Sequence, residues 1–334
     1  MLKLELRSGR RLFAPAPAAL LVGLLAGASA ALATPWSNIS SPSKGLTEVI
    51  GGPANGCIGG AETLSKTGPG YVSVRRYRNR YYGHPDLLSF IQDLGWAQQR
   101  SSGGLVMIGD LSQPRGGRMS SSHRSHQNGL DVDIWMTLVS SPAEASRLMD
   151  HRSDPQTMVA PGGRSVSGHW GTAQRTLIET AARHPRVDRI FVNPAIKRDL
   201  CQTAQGDRLW LRKIRPWQGH AAHFHVRLTC PPDSPQCSPQ SPVPAGDGCG
   251  SELAWWFSDE ARSPKKGSSK PTHASRPATP AACSAVLQAQ ARKPSSYAGD
   301  LLNHADGLLS GASGFIRRFP GNLIPDGFAS RFDF

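Results

Sequence analysis

His223-Phe224-His225-Val226-Arg227-Leu228 alternates without a break between polar and apolar residues. In an extended chain successive side chains point to opposite faces. Phe224, Val226 and Leu228 therefore share one apolar face, and His223, His225 and Arg227 share the other. Asp131-Val132-Asp133-Ile134-Trp135-Met136 has the same alternation, with Val132, Ile134 and Met136 on one side and Asp131, Asp133 and Trp135 on the other. Each stretch reads as a half-buried strand that aims imidazoles or carboxylates into a cleft. Residues on the same face of a strand lie about 6.5–7 Å apart. One histidine of His223 and His225 can then ligate a metal while the other reaches a water bound to it.

Outward from these strands, Leu87, Phe90, Ile91 and Leu94 recur at helical spacing, with Pro85 where a first turn tolerates it. A helix is predicted over Pro85–Gln99 and a second over Thr172–His184. Further β-like runs cover Val72–Tyr77, Leu105–Gly109, Val132–Leu138 and Arg189–Asn193. Strands with few helices between them, and many Gly and Pro turns, indicate an α+β domain rather than a regular βαβ series. The expected architecture is a central antiparallel sheet with flanking helices and long loops, carrying the metal site on the sheet.

The 334-residue chain opens with Lys3, Arg7, Arg10 and Arg11, then an apolar stretch over Ala18–Ala28. That stretch is short of the ~20 residues that span a bilayer. Small residues at Ala31-Leu32-Ala33 suit a signal peptidase, so cleavage before Thr34 is expected, with Ala28-Ser29-Ala30 as a second option. No other segment is apolar enough for stable membrane insertion. The formal charge is +14, and removing residues 1–33, with four Lys/Arg and one Glu, leaves +11. For an exported protein that excess favours a polyanionic wall or membrane surface rather than nucleic acid. Residues 34–257 read as the globular domain. Residues 258–282, rich in Pro, Ser and Lys, read as a linker, and 283–334 as a tail without an assigned role.

Five of the eleven histidines fall in two clusters, His123/His126 and His220/His223/His225. Imidazole and carboxylate are the usual ligands of a zinc ion that keeps one position open for water. His-x-His alone is more often surface polarity, and paired aspartates on a strand are usually a solvated face. Two such clusters, each beside an apolar alternate face, favour a metal site. The six cysteines lack Cys-x-x-Cys spacing, so structural disulfides are expected, although six allow 15 pairings.

His126-x-x-Gly129-x-x-x-Asp133, followed far downstream by His223-Phe224-His225, resembles the zinc pattern of the lysostaphin and D-Ala-D-Ala metallopeptidase group. More closely, the chain resembles the penicillin-insensitive murein endopeptidases. The stretches that carry this are Gly83 to Leu87, Ser125 to Ile134, Arg189 to Lys197, Trp210 to Lys213, Arg215-Pro216-Trp217, His223 to Leu228 and Gly246 to Gly250. The resemblance runs collinearly from about Thr34 to Phe257.

It implies a periplasmic zinc peptidase that cuts D-alanyl to meso-diaminopimelyl cross-links between peptidoglycan stem peptides. His126, Asp133 and His225 match the zinc ligands, and His123 matches a histidine near the metal. His223 and His220 match further active-site histidines. His223 is the first candidate for the base, and His220 would stabilise the oxyanion or protonate the leaving amine, with the two roles open to exchange. Asp131 would orient a ligand histidine. The implied disulfides are Cys57–Cys283, Cys201–Cys249 and Cys230–Cys237. Some relatives hold a second metal, but Ala160–Ser165, in the corresponding stretch, lacks the Asp and His for it. Arg118, Arg124 and Arg227 are candidates for binding substrate carboxylates. The same zinc chemistry would serve a D,D-carboxypeptidase acting on uncrosslinked stem peptides. A non-catalytic wall-binding protein is the alternative from another class. Oligomeric state does not follow from the sequence.

Overall fold

The strands that hold His223–Leu228 and Asp131–Met136 lie side by side in the middle of a seven-stranded sheet. In the computed structural model, which describes residues 34–101, 104–120, 123–150, 155–262 and 277–292, they pair antiparallel with His225 opposite Asp133 and Arg227 opposite Asp131. The expected signal segment, residues 263–276 of the expected linker and residues 293–334 of the tail lie outside the described residues.

The strands are β1 (Glu48–Gly52), β2 (Asn55–Gly59), β3 (Glu62–Thr63), β4 (Thr67–Gly68), β5 (Tyr71–Ser73), β6 (Tyr82–Gly83), β7 (Leu105–Ile108), β8 (Asp131–Val139), β9 (Val187–Val192), β10 (Ile214–Pro216) and β11 (His223–Leu228). The helices are α1 (Pro85–Ser101), α2 (Pro142–Asp150), α3 (Thr172–Arg183), α4 (Pro194–Thr203), α5 (Ser251–Trp255), α6 (Asp259–Arg262) and α7 (Ala282–Gln288). The α+β expectation holds. None of the described helices is long and apolar enough to cross a membrane.

The sheet itself corrects the expectation of an antiparallel one. Its order is β10-β9-β11-β8-β7-β5-β4, and it is mixed. The pairs from β9 to β7 are antiparallel, but β10 runs parallel to β9 and β7 parallel to β5. The reason lies in the connections. Chain between β5 and β7 passes through α1, and chain between β9 and β10 passes through α4. Helical crossovers of this length carry the chain back to the end of the sheet where the previous strand began, which is what a parallel neighbour requires. Helix α4 was not anticipated. Asn193 caps it by accepting from the Ala195 N–H, and Pro194 occupies its first position.

One sheet face carries the core. Val132, Ile134 and Met136 of β8 meet Phe224, Val226 and Leu228 of β11, and α1, α3 and α4 cover them with Leu87, Phe90, Ile91, Leu177, Ile178 and Ile196. Each such side chain contributes about 1.5–3 kcal/mol when taken from water. The opposite face is covered only in part, by a smaller cluster of Val72, Val74, Met107, Trp135 and Val139 with Ala145 and Met149 of α2. The remaining part of that face holds the polar side chains of β8 and β11.

Three disulfides join Cys57 to Cys283, Cys201 to Cys249 and Cys230 to Cys237. The first fastens α7 to the β1–β2 hairpin. Arg115 donates to the carbonyls of Val286 and Leu287, and Arg292 to those of Gly60 and Ala61, so residues 277–292 pack against the N-terminal part of the fold.

Candidate metal centre

Register places the first two site residues. Asp133 and His225 face each other across β8 and β11, and His225 Nδ1 lies 3.2 Å from Asp133 Oδ1. The third arrives from a loop. His126 precedes β8 and adopts φ 64°, a left-handed conformation uncommon for a residue with a side chain. Its backbone N–H is held by Asp131 Oδ2 at 3.0 Å, and its Nε2 lies 3.3 Å from Asp133 Oδ1. Gly129, at φ 79°, completes the turn into β8, where a Cβ would come within 2.4 Å of Ile58 Cδ1.

His126 and His225 thus converge on one carboxylate oxygen of Asp133, and all three residues are buried. Asp133 Oδ1 and both nitrogens of His126 have no hydrogen-bond partner. Buried polar atoms rarely remain without one. Two imidazoles and a carboxylate are a donor set suited to zinc, so the residues fit a metal ion. His123, His126 and Asp133 form one group whose ligand atoms lie within 4.8 Å of one another, and His126, Asp131 and His225 form a second. His126 belongs to both.

Asp131 is engaged on every side. It accepts from Arg227 Nε at 2.7 Å and Arg227 Nη2 at 2.9 Å as well as from the His126 N–H, and it lies 3.3 Å from His225 Nε2. Those contacts make it an orienting carboxylate that aims the other nitrogen of His225 at Asp133. Arg227 is buried, with its charge paired on Asp131 and Nη1 donating to Gln240. It therefore has no free charge for a substrate carboxylate, which corrects its candidacy as a binding arginine. Arg118 and Arg124 are exposed on the loop that leads to His126.

Burial alone would raise both aspartates. The charges of Arg227 and His225 instead hold Asp131 well below the ordinary carboxylate range, and His126 and His223 do the same for Asp133. The neighbouring histidines divide. Burial lowers His223, and burial with the nearby His223 and His225 lowers His220 to about 4, so both favour the neutral form. For His225 burial is the largest single influence and lowers the pKa, but the charges and hydrogen bonds of Asp131 and Asp133 together outweigh it and leave the pKa raised.

His223 and His220 stand at the open side. His223 Nε2 is 3.8 Å from Asp133 Oδ1, and the two ring centroids are 5.2 Å apart. His220 adopts φ 41° on the loop entering β11. Its Nδ1 lies 3.2 Å from the Gln218 carbonyl, which assigns the proton to Nδ1 and leaves Nε2 as an acceptor. Asn193 steadies that loop, accepting nothing from it but donating from its backbone N–H to the His220 carbonyl and from Nδ2 to Gly219.

Asp110 was missed by the sequence reading. It lies just beyond β7, where its carbonyl accepts from the Asp133 N–H at 3.0 Å. Its Oδ2 lies 3.1 Å from His123 Nε2 and accepts from Arg78 and Arg80. Burial raises its pKa, but the His123 hydrogen bond and the Arg80 charge prevail and leave it at about 2. His123 is thereby turned with Nδ1 towards Asp133, 3.8 Å from Oδ2. A single aspartate after a strand has no sequence signature, and only its place beside Asp133 identifies it.

Comparison with known proteins identifies the family. Residues 49–288 match the family model described as penicillin-insensitive murein endopeptidase. A protein of that name from Klebsiella pneumoniae subsp. pneumoniae is 46% identical over 268 residues, covering 80% of this chain and 96% of its own. Relatives of the same name from Yersinia enterocolitica and Salmonella newport are also 46% identical, covering 95% and 96% of their own lengths.

Proposed function

The chain belongs to the penicillin-insensitive murein endopeptidase family, and from that premise we propose a zinc-dependent endopeptidase that hydrolyses the D-alanyl to meso-diaminopimelyl cross-links of peptidoglycan. The observation that carries this reading is the convergence of His126 Nε2 and His225 Nδ1 on Asp133 Oδ1, among buried atoms without other partners. His126, Asp133 and His225 would hold the ion, which when bound supplies polarisation of the scissile carbonyl and acidification of a water. The other steps belong to side chains.

His223 Nε2 takes the water proton, since burial keeps the ring neutral and it stands beside Asp133. His220, whose ring centroid lies 5.2 Å from that of His223, hands a proton to the leaving amine once it holds one. Asp131 and Arg227 fix the tilt of His225, and Asp110 fixes His123. Arg118 and Arg124 are the exposed cations placed to meet the free carboxylates of stem peptides. Residues 1–33 serve as a cleaved signal segment, and the enzyme acts in the periplasm.

The test uses purified protein and cross-linked muropeptide dimers, analysed by chromatography and mass with and without a chelator. Conversion of dimers to monomers, abolished by chelation and restored by zinc, is the expected result. Loss of terminal D-Ala with dimers intact would replace the reading with a D,D-carboxypeptidase. No turnover in either assay would leave a wall-binding protein.

A further inference from the structure

Beside the metal centre a row of aromatic rings leads out to the surface. Phe191 on β9 meets His225 edge-on at 5.4 Å between centroids. Trp217 meets Phe191 at 5.9 Å, Trp256 meets Trp217 at 6.1 Å, and Trp255 meets Trp256 at 5.3 Å. The planes are tilted or edge-on, at 72°, 53° and 81°, rather than stacked. Such contacts leave ring faces uncovered. Trp217 is 52% exposed and Trp255 47%. Other exposed large hydrophobics, such as Leu46 and Leu209, have no such row attached and need no explanation.

The chain that carries these rings is firmly held. Cys249, just before α5, is bonded to Cys201 on α4. Lys197, fully buried, donates to the carbonyls of Leu211 and Asp247, and Arg208 pairs with the Asp247 carboxylate. Arg215, two residues before Trp217, pairs with Glu252 of α5 and so ties the two tryptophan segments together. A rigid exposed aromatic surface loses little entropy on binding, which is the condition for recognition. Beside the shelf Arg215 and Glu252 neutralise each other, and the Arg198 guanidinium lies over the Phe257 ring.

We propose that Trp217, Trp256 and Trp255 form a carbohydrate-binding shelf that seats the glycan of the substrate next to the metal centre. The proposal rests on the murein reading above. Murein consists of glycan strands joined through peptides, so a site that receives the cross-link must lie near sugar rings. Pyranose rings present faces of C–H bonds that pack on aromatic faces without needing charge, which matches a neutral shelf of uncovered indoles. Successive ring spacings are on the scale of one sugar ring, so the row suits a strand rather than a single sugar.

The experiment compares cross-linked dimers that carry their disaccharides with the same dimers stripped of sugar, on wild-type protein and on Trp217→Ala, Trp255→Ala and the double variant. Wild type should show a KM about tenfold lower for the sugar-bearing dimer, and the double variant should lose that preference. Trp255→Tyr should retain it, which separates loss of the shelf from loss of the fold. Equal KM values in wild type, or a preference that survives in the double variant, would overturn the shelf while leaving the endopeptidase reading intact. Cleavage of neither dimer by wild type would count against the endopeptidase reading instead; the shelf is then judged by binding of peptide-free glycan strands. Tryptophan-dependent binding to anionic lipid vesicles, with none to those strands, would overturn the shelf in favour of a membrane surface.

Discussion

His225 and His126 point at the same carboxylate oxygen but are held there by opposite means. His225 sits in a regular strand, and its direction follows from alternation and from the register that puts it opposite Asp133. His126 sits in a loop, in a left-handed conformation that costs about 1–3 kcal/mol. The loop is kept in place by Asp131 on its N–H, by the turn at Gly129, and by hydrogen bonds between Gly117 and Gln127 and between Gln127 and Pro53. A side chain on a strand is positioned by a repeating pattern. One on a loop is positioned by particular neighbours.

The largest expected effects separate the ligands from the proton carriers. His225→Ala should lose bound metal and reduce activity by roughly 10³-fold or more, because polarisation of the carbonyl supplies several kcal/mol. His223→Ala should keep the metal while kcat falls by about 10²–10⁴, the range for a general base. Metal analysis alongside kinetics decides, and equal metal loss in both would break the assignment.

Arg227→Met tests whether strand and loop share one brace. It leaves Asp131 buried without its cation, and denaturant titration should show about 3–5 kcal/mol of lost stability. A raised KM with unaltered stability would instead restore Arg227 as a substrate arginine.

Asp110→Asn addresses the acid limb. The folded pKa of Asp110, about 2, lies below the usual ~3.9 of an unfolded aspartate. Its stabilising contribution is therefore complete above pH ~4 and is lost as pH falls through about 2. The variant should show a shallower loss of stability across that window, measured by thermal melts at stepped pH. An unchanged acid limb would remove Asp110 from the electrostatic account.

The smallest effect belongs to the turn. Gly129→Ala places a Cβ against Ile58 at positive φ and should cost about 1–3 kcal/mol. A larger loss of metal affinity than of stability would show that the turn serves His126 in particular.

What the sequence made legible follows the same division. Alternation in His223–Leu228 and in Asp131–Met136 predicted both faces of the central strands, and the spacing of Leu87, Phe90, Ile91 and Leu94 predicted α1. Periodicity could not reveal the parallel edges of the sheet, because they depend on where α1 and α4 deliver the chain. Nor could it reveal the β1–β2 hairpin, whose glycine-rich strands have little apolar pattern. Of the four non-glycine residues with positive φ among the described residues, His126 and His220 both lie at the candidate site. Such backbone departures concentrate at functional sites and leave no mark in composition. Asp110 was hidden for a related reason, since its partners come from three separate segments.

The bond between Cys57 and Cys283 reaches further than the two elements it joins. Cys57 lies on β2, which meets Gly116 through a bridge, and the next residue, Gly117, donates to Gln127 beside His126. His126 is therefore braced by a covalent link that persists only where thiols are oxidised. Folding of the strand pair needs no such condition. A chain kept in a reducing compartment is expected to hold Asp133 and His225 in register while the mooring of His126 stays incomplete.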